Sequence, residues 1–416
     1  MRAVNKITKY TRKTRSILRE EGGVSLAIKT LEKIKKKQID KTTNPNRKIK
    51  FQSLVDRESV MAADWVSNKY QSVSLATKPK PPYTFNWVMS PPAGGGGHQN
   101  IFRFIEFLDS KGHKNNIYLY STTDETTPDQ ARANVSAYCK AENLTFQRLG
   151  KKMAQADMIF ATGWETAYPV FNEITTAKKM YFVQDFEPYF YAIGTDYILA
   201  ENTYKFGFHA ITAGGYLNHK LSTEYGMKCE NYEFAADEKT YKYTNEKTRR
   251  EIFFYARPVT ERRGFDLGIM VLELFHKKHP EYTINLAGWD VSGYDIPFPY
   301  VNHKALDISQ LPALYNKCAA ALVISLTNMS LLPPELLACG TIPVVNEGPN
   351  NRLVTDNPFI AYVEASPARM AEELSSIVTD KNLIEKSKNA SKSINRGGWA
   401  ASKKKFLDVI TKELQS

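Results

Sequence analysis

Residues 322–345, LVISLTNMSLLPPELLACGTIPVV, constrain the fold more than any other stretch of this chain. An apolar run at 322–325 is of strand type, and a loop of rising hydrophobicity follows at 327–332. Pro333 and Pro334 cannot sit in a helix interior, but a proline fits the first turn, where no N–H partner is lost. Residues 335–338 continue as helix, Gly340 ends it, and 342–345 form a second strand. Strand, helix and strand at this spacing make a βαβ unit, which requires a parallel sheet. The helix start leaves the N–H groups of Ser330, Leu331 and Leu332 unpaired. Together with the helix dipole they favour an anion, of which phosphate is the usual one. Glu335, one turn in, is placed to take a ribose hydroxyl. A first-turn carboxylate also suits the dipole for stability alone, and this stretch by itself leaves both roles open.

The same alternation runs through most of the chain. A folded domain is expected to start at Tyr83, with a strand at 85–89. Ser90-Pro91-Pro92-Ala93-Gly94-Gly95-Gly96-Gly97-His98 follows as a glycine loop, and Ile101, Phe104, Ile105 and Leu108 mark one face of a helix. Further strands are predicted at 117–120, 158–161, 180–183 and 210–213. A second set begins at Glu251: strand 252–256, helix 266–279, strand 282–287, a helix near 308–317, then the 322–345 unit. Such alternation predicts α/β architecture with parallel sheets covered on both faces. At 416 residues the chain is too long for one compact core. The expected divisions are a basic leader and linker at 1–80, a first domain at 81–245, a second at 246–395 and a last helix at 396–416.

Charge is distributed unevenly. Residues 1–50 hold 16 Lys+Arg against 4 Asp+Glu, so this stretch alone carries the net charge of +12 and the rest of the chain is balanced. A nucleic-acid enzyme more often spreads basic residues over its core surface, and no nucleic-acid partner is expected. Within the leader, Val4, Ile7, Tyr10, Ile17 and Leu18 recur at near-helical spacing. Past Gly22-Gly23, Ser25 can cap a second helix carrying Leu26, Leu31 and Ile34 on one side. Basic amphipathic helices of this kind suit an anionic membrane surface, each basic residue adding about 1 kcal/mol near the lipid. A solvated arm is the other reading. Four scattered cysteines, Cys139, Cys229, Cys318 and Cys339, show no paired spacing and point to a reducing compartment without disulfides or a zinc site. No apolar run nears the roughly 20 residues that span a bilayer, and no signal peptide is visible, so a cytoplasmic protein, peripheral on the inner face of the membrane, is expected.

The sequence Leu331-Leu332-Pro333, the helix Glu335-Leu336-Leu337-Ala338-Cys339-Gly340 and the strand Ile342-Pro343-Val344-Val345 resemble the donor-nucleotide motif of retaining, Leloir-type GT-B glycosyltransferases of the family 4 kind. In those enzymes a loop ending in Gly-Leu-Pro precedes a helix reading Glu-Ala-Met-Ala-Cys-Gly. Their first glutamate, eight positions before the second, is Thr327 here, a departure that bears on a sugar contact and not on the ribose contact of Glu335. The resemblance covers roughly residues 83–416 and implies two Rossmann-like domains facing a central cleft, with the last helix crossing back to the first domain.

It also implies site residues. Arg257 and Arg263, in Tyr255-Ala256-Arg257-Pro258 and Glu261-Arg262-Arg263-Gly264, occupy the two basic positions that stabilise a diphosphate leaving group. Two guanidiniums can each bond oxygens bidentately where negative charge develops. Gly288 lets backbone approach the ligand, Val301 and His303 read the base, and Lys304 reaches phosphate or sugar. In the acceptor half the glycine loop, with Gly95, Gly96, Gly97 and His98, lies beside the acceptor. Gln184 replaces a histidine that touches the C6 hydroxyl of the sugar, which fits a 6-deoxy donor. Asp185 and Glu187 orient an acceptor hydroxyl, Tyr189 stacks on a sugar ring, and Trp164 with Glu165 is a further acceptor contact. Ala235-Ala236-Asp237 and Tyr241 match the segment that precedes the second domain.

Within this family the likeness is greatest to rhamnosyltransferases that build rhamnose-rich S-layer glycans. That implies dTDP-L-rhamnose as donor, a lipid-linked or growing glycan as acceptor, and retention of configuration, with the leaving phosphate taking the acceptor proton. No Asp-x-Asp motif is present, so no metal and no cofactor is expected. Two rival readings are a GT-B nucleotide-sugar epimerase, which needs no acceptor, and a non-enzymatic protein that binds membrane or nucleic acid through its leader.

Overall fold

The structure is a computed structural model that describes residues 53–72, 74, 77–394 and 398–416. The basic leader and its membrane reading lie outside the described residues. The chain divides into two compact units. One takes the described residues up to Thr212 with 220–230 and 406–416, and the other takes 213–219 and 231–405.

The first sheet has seven strands: β1 (Thr84–Met89), β2 (Lys114–Leu119), β3 (Leu144–Arg148), β4 (Met158–Ala161), β5 (Lys178–Val183), β6 (His209–Ala213) and β7 (Cys229–Tyr232). Their order is β3-β2-β1-β4-β5-β6-β7. The second has six: β8 (Glu251–Tyr255), β9 (Thr283–Ala287), β10 (Val301–Lys304), β11 (Cys318–Val323), β12 (Ile342–Asn346) and β13 (Ala361–Val363). Their order is β10-β9-β8-β11-β12-β13, with parallel pairing throughout. Both therefore start at the sheet centre, wind outward one way and then the other, in the doubly wound order. The central strands β4, β5 and β11 are buried along their whole length, as strands covered by helices on both faces must be.

The strands that sequence reading does not find are β3, β7, β10 and β13, all at sheet edges. They are short and only partly buried, so they carry no continuous apolar run. The glycine loop also differs from expectation. The helix Gly96–Asp109 starts inside it, with Gly95 as N-cap, so Gly97 and His98 are helical.

The segment expected as linker is folded on the first unit well before residue 81. Leu54 and Val55 are buried, and the helix Arg57–Ala62 is capped by Asp56, whose Oδ2 accepts from the Ser59 amide at 2.9 Å. Asn172 Nδ2 donates to Ser59 O at 2.8 Å, and the Tyr70 amide donates to Phe206 O at 2.8 Å.

Aromatic packing organises the first unit. Trp87 on β1 stacks on Phe160 of β4 with centroids 4.1 Å apart and planes 10° from parallel. Phe406, in the helix Gly398–Gln415, completes the cluster at 4.9 Å from Phe104 and 6.0 Å from Phe160. The same helix end is pinned by a buried carboxylate. Glu413 Oε2 lies 2.9 Å from His209 Nδ1 and 2.7 Å from Lys228 Nζ, while Oε1 accepts from Ser72 Oγ at 3.0 Å. These partners, His209 first, hold its carboxyl well below the ordinary value of 4.5.

Glu413→Ala should lower unfolding free energy by about 2–3 kcal/mol, since the carboxylate is buried but Lys228 is screened by solvent. A depressed carboxyl contributes stability that is present above pH 4.5 and lost as pH falls. Denaturant titrations of the two proteins should therefore differ at pH 7 and converge in acid.

Candidate functional site

In a doubly wound sheet ligands bind at the carboxyl ends of the strands, where the winding reverses. In the second unit that point lies between β8 and β11. The loops leaving these strands, 256–264 and 324–331, contain the expected arginines and the expected anion cradle.

Arg257 follows β8 directly and is 8% exposed. Its Nη1 donates to Gly288 O at 3.1 Å, and its guanidinium lies over the Tyr255 ring, 5.7 Å from the centroid. Among the described residues no carboxylate pairs with it. Gly288 has φ +113°, and a Cβ there would come within 2.6 Å of the Tyr255 ring. That glycine is needed for the backbone to pass close to Tyr255 and to offer its carbonyl to Arg257.

Arg263 is held differently. Its Nη1 donates to Ser325 Oγ at 2.6 Å, so it ties the β8 loop to the β11 loop. Gly264 makes this approach possible: φ is +56°, and a Cβ would stand 2.6 Å from Ile324 Cγ2. Ser325 is the hub of the junction. Its carbonyl accepts amides from Asn346, Asn350 and Asn351 at 3.0, 2.8 and 3.2 Å. Its own amide donates to Asn346 Oδ1 at 2.7 Å, and its Oγ donates to Asn328 O at 2.6 Å. Sequence reasoning did not single out Ser325 or these asparagines. The available signal was three asparagines within six residues of a strand end, at 346, 350 and 351.

The helix after this loop runs Leu332–Ala338. Pro333 and Pro334 carry no N–H, and the Leu332 amide faces Ser330 Oγ at 3.4 Å. Of the three amides expected to be open, Ser330 and Leu331 alone meet no acceptor among the described residues. Glu335 is oriented by a hydrogen bond with the Tyr241 hydroxyl, whose pKa rises through burial and then through the Glu335 charge. Tyr241 in turn lies parallel to Tyr315 at 6.0 Å.

The expected base-reading strand edge is β10. Val301 is exposed, and His303 Nε2 is 2.7 Å from Asn285 Oδ1. Lys304 has φ +56°, a strained value for a residue with a side chain. Its Nζ lies 3.4 Å from Asp290 Oδ2, so the cation expected to reach a ligand has a carboxylate beside it. Asp290 also accepts from the Ser292 amide and from Asn302 Nδ2, and these bonds lower its pKa to about 2.

In the first unit the expected acceptor residues divide into inward and outward sets. His98 is buried, with Nε2 3.1 Å from Ser90 O, and burial lowers its pKa to about 4, so the ring is neutral and anchors the loop. Gln184 Oε1 accepts from Asn100 Nδ2 at 3.0 Å, beside Gly97. Asp185 Oδ1 accepts from the Phe186 amide at 2.9 Å. Trp164 is fully buried, its Nε1 bonded to Tyr191 Oη at 2.8 Å, so its ring cannot stack on a sugar. Tyr189 remains exposed.

Glu187 turns its carboxyl inward, accepting from the Trp164 amide at 2.5 Å and from Tyr181 Oη at 3.3 Å. Burial first, and then the charge of Glu165, push its pKa well up. Glu165, 6% exposed, has an Oε2 that meets no hydrogen-bond partner among the described residues, and burial raises its pKa to about 7. This pair is the acidic counterpart of the arginines in the second unit.

Comparison with known proteins places this arrangement. Residues 115–213 match the family model described as the WsaF N-terminal domain, and residues 250–375 match the WsaF C-terminal domain. The two matches together take in more than half of the chain. The chain belongs to the WsaF family. This WsaF-family chain is also 31% identical over 337 residues to the O-antigen biosynthesis protein RfbC of Myxococcus xanthus. The match takes in 76% of the chain but spans only 26% of the length of RfbC.

Among solved structures, HepE of Anabaena, crystallised with UDP and glucose, aligns with a TM-score of 0.62 and 11% identity over 79% of this chain and all of that one. A glycosyltransferase of Rickettsia africae aligns at 0.58 and 14%, over 81% of this chain and all of its own. At these identities the likeness is one of fold, and the fold is GT-B.

Glu165 binds its proton more tightly folded than unfolded, where the ordinary value of 4.5 applies. Its contribution to stability is therefore complete below pH 4.5 and lost as pH rises to about 7. Relative to Glu165→Gln, the wild-type unfolding midpoint should fall across that window in a pH series of thermal melts. A second outcome concerns the junction. Ser325→Ala removes the acceptor of Arg263 and should cost about 1–3 kcal/mol of stability, read by denaturant unfolding.

Proposed function

We propose that the chain is a retaining glycosyltransferase that moves L-rhamnose from dTDP-L-rhamnose onto a growing cell-surface glycan. The observation that carries this reading is Arg257: a buried guanidinium at the switch point of the sheet, bonded to a carbonyl and paired with no carboxylate among the described residues. Burying such a charge is costly unless an anion compensates it. A nucleoside diphosphate is the anion that this position in a GT-B fold suits.

In this mechanism Arg257 and Arg263 share the charge that gathers on the diphosphate as the glycosidic bond breaks. The open amides of Ser330 and Leu331 add donors to the same group. Glu335, held by Tyr241, takes a ribose hydroxyl, and the backbone at Val301 and His303 lies along the base. The acceptor hydroxyl attacks from the face the leaving group vacates, and a diphosphate oxygen takes its proton. Asp185 and Tyr189 position the acceptor. Gln184 in place of a histidine favours a donor without a C6 hydroxyl. The family membership and the printed role of RfbC in O-antigen biosynthesis support the glycan acceptor. The reaction uses no metal, and the basic leader holds the enzyme on the cytoplasmic membrane surface.

Calorimetric titration with thymidine diphosphate tests the carrying observation. Arg257→Ala and Arg263→Ala should each lose about 1.5–3 kcal/mol of binding if each forms a charged hydrogen bond. Affinity equal to wild type in both variants would remove the proposed site. Glu335→Gln should weaken nucleotide binding with an unchanged melting midpoint. Faster turnover of UDP-glucose than of dTDP-L-rhamnose in a competition assay would overturn the rhamnose assignment. Interconversion of the donor without any acceptor would favour an epimerase.

A further inference from the structure

The second unit buries another guanidinium, at the opposite end of β8. Arg249 precedes β8 and is 3% exposed. Its Nη1 donates to Cys318 O at 3.2 Å, and its Nη2 donates to Asn245 O at 3.1 Å and Cys339 O at 2.9 Å. Its plane lies over the Tyr243 ring, 5.1 Å from the centroid. All these acceptors are carbonyl dipoles. Among the described residues Arg249 has no carboxylate partner, and burial lowers its pKa.

A cavity of about 120 Å³ opens beside it, lined also by Tyr243, Lys247, Lys381 and Ser387. Two hydroxyls in this wall lack an acceptor. Ser387 is 1% exposed and its Oγ meets no hydrogen-bond partner among the described residues, while the buried Tyr243 Oη, beside the Arg249 guanidinium, meets no acceptor there. Both belong to one tight contact: a Cβ on Gly340 would stand 2.5 Å from the Tyr243 ring and 2.9 Å from Ser387 O. Asp380, the acid in the lining, is already engaged by Lys386 Nζ at 2.7 Å and by the Asn382 amide at 2.8 Å.

We propose that this cavity is a binding site for a small oxyanion of phosphate or sulfate size, separate from the nucleotide site. Each feature of the wall asks for the same ligand. A buried cation without a counter-ion is relieved by a negative charge. Two buried hydroxyls without acceptors are satisfied by oxygen atoms that accept. Two lysines at the same wall draw an anion in and hold it as point charges. The cavity has room for such an ion. The ligand lies at the end of the Leu332–Ala338 helix remote from Ser330, where Arg249 already holds the Cys339 carbonyl.

Equilibrium dialysis of the full chain against labelled inorganic phosphate, at constant ionic strength, tests the site. Arg263→Ala weakens phosphate binding at the nucleotide site by about tenfold or more and should leave one tighter equivalent bound. In that background, Lys247→Ala with Lys381→Ala should weaken the remaining binding by about tenfold or more. Both lysines lie at the surface, so that variant should fold. Ser387→Ala should weaken it by about threefold to tenfold, and unlabelled sulfate should compete. If the Arg263→Ala chain binds no phosphate, or binds it equally with and without the lysines and the hydroxyl, there is no such site.

Discussion

The second unit is organised around a single backbone carbonyl, that of Ser325. Three asparagine amides from the far side of β12 converge on it, and the hydroxyl of the same residue takes the Arg263 guanidinium. A carbonyl at the end of a buried strand has lost water and must find donors. Here the donors come from a neighbouring strand end, so the carbonyl fixes the β11 loop against the turn after β12 while the hydroxyl fixes it against the β8 loop. The two loops that flank the winding reversal are thereby joined through side chains.

Electrostatics divides along the same lines. The second unit buries guanidiniums at both ends of its central strand β8, Arg257 past the carboxyl end and Arg249 before the amino end, each bonded to carbonyl oxygen and not to a carboxylate. Carbonyls fill the hydrogen-bonding capacity of a guanidinium but leave its net charge uncompensated, which makes each position receptive to an anion. The first unit buries acids. Glu165 and Glu187 sit together in a setting that pushes both toward the protonated form, Glu165 through burial and Glu187 through burial and then the charge of Glu165. Glu413 shows the contrasting case: a carboxylate given His209, Lys228 and Ser72 stays ionised and locks the last helix in place.

Some of the expected site is used internally. His98 and Trp164 were read as acceptor contacts because of where they fall along the chain, but each spends its polar group on its own unit. Lys304 has Asp290 beside it, and the Leu332 amide faces a serine hydroxyl two residues back. The pairing of Glu335 with Tyr241 goes the other way. Sequence reading noted both residues separately, and the fold joins them, so that the carboxylate is aimed by a hydroxyl nearly a hundred positions earlier in the chain.

What the chain's order alone determined is the alternation of elements and the chemistry placed at their ends. Buried parallel strands such as β4, β5 and β11 need unbroken apolar runs, and helix starts need prolines, glycines or capping residues, so both leave a local mark. The pairs Arg257 with Arg263 and Pro333 with Glu335 were legible for the same reason: each lies within one loop or one helical turn. Edge strands β3, β7, β10 and β13 escaped because exposure on one side removes the apolar run. The folding of residues 53–72 onto the first unit escaped because Leu54 and Val55 form too short a signal. Only the tertiary structure decided which polar groups remain open, because hydrogen bonds between strands close pairs such as Arg263 with Ser325 across sixty residues of sequence, and no local pattern records which donor will find which acceptor.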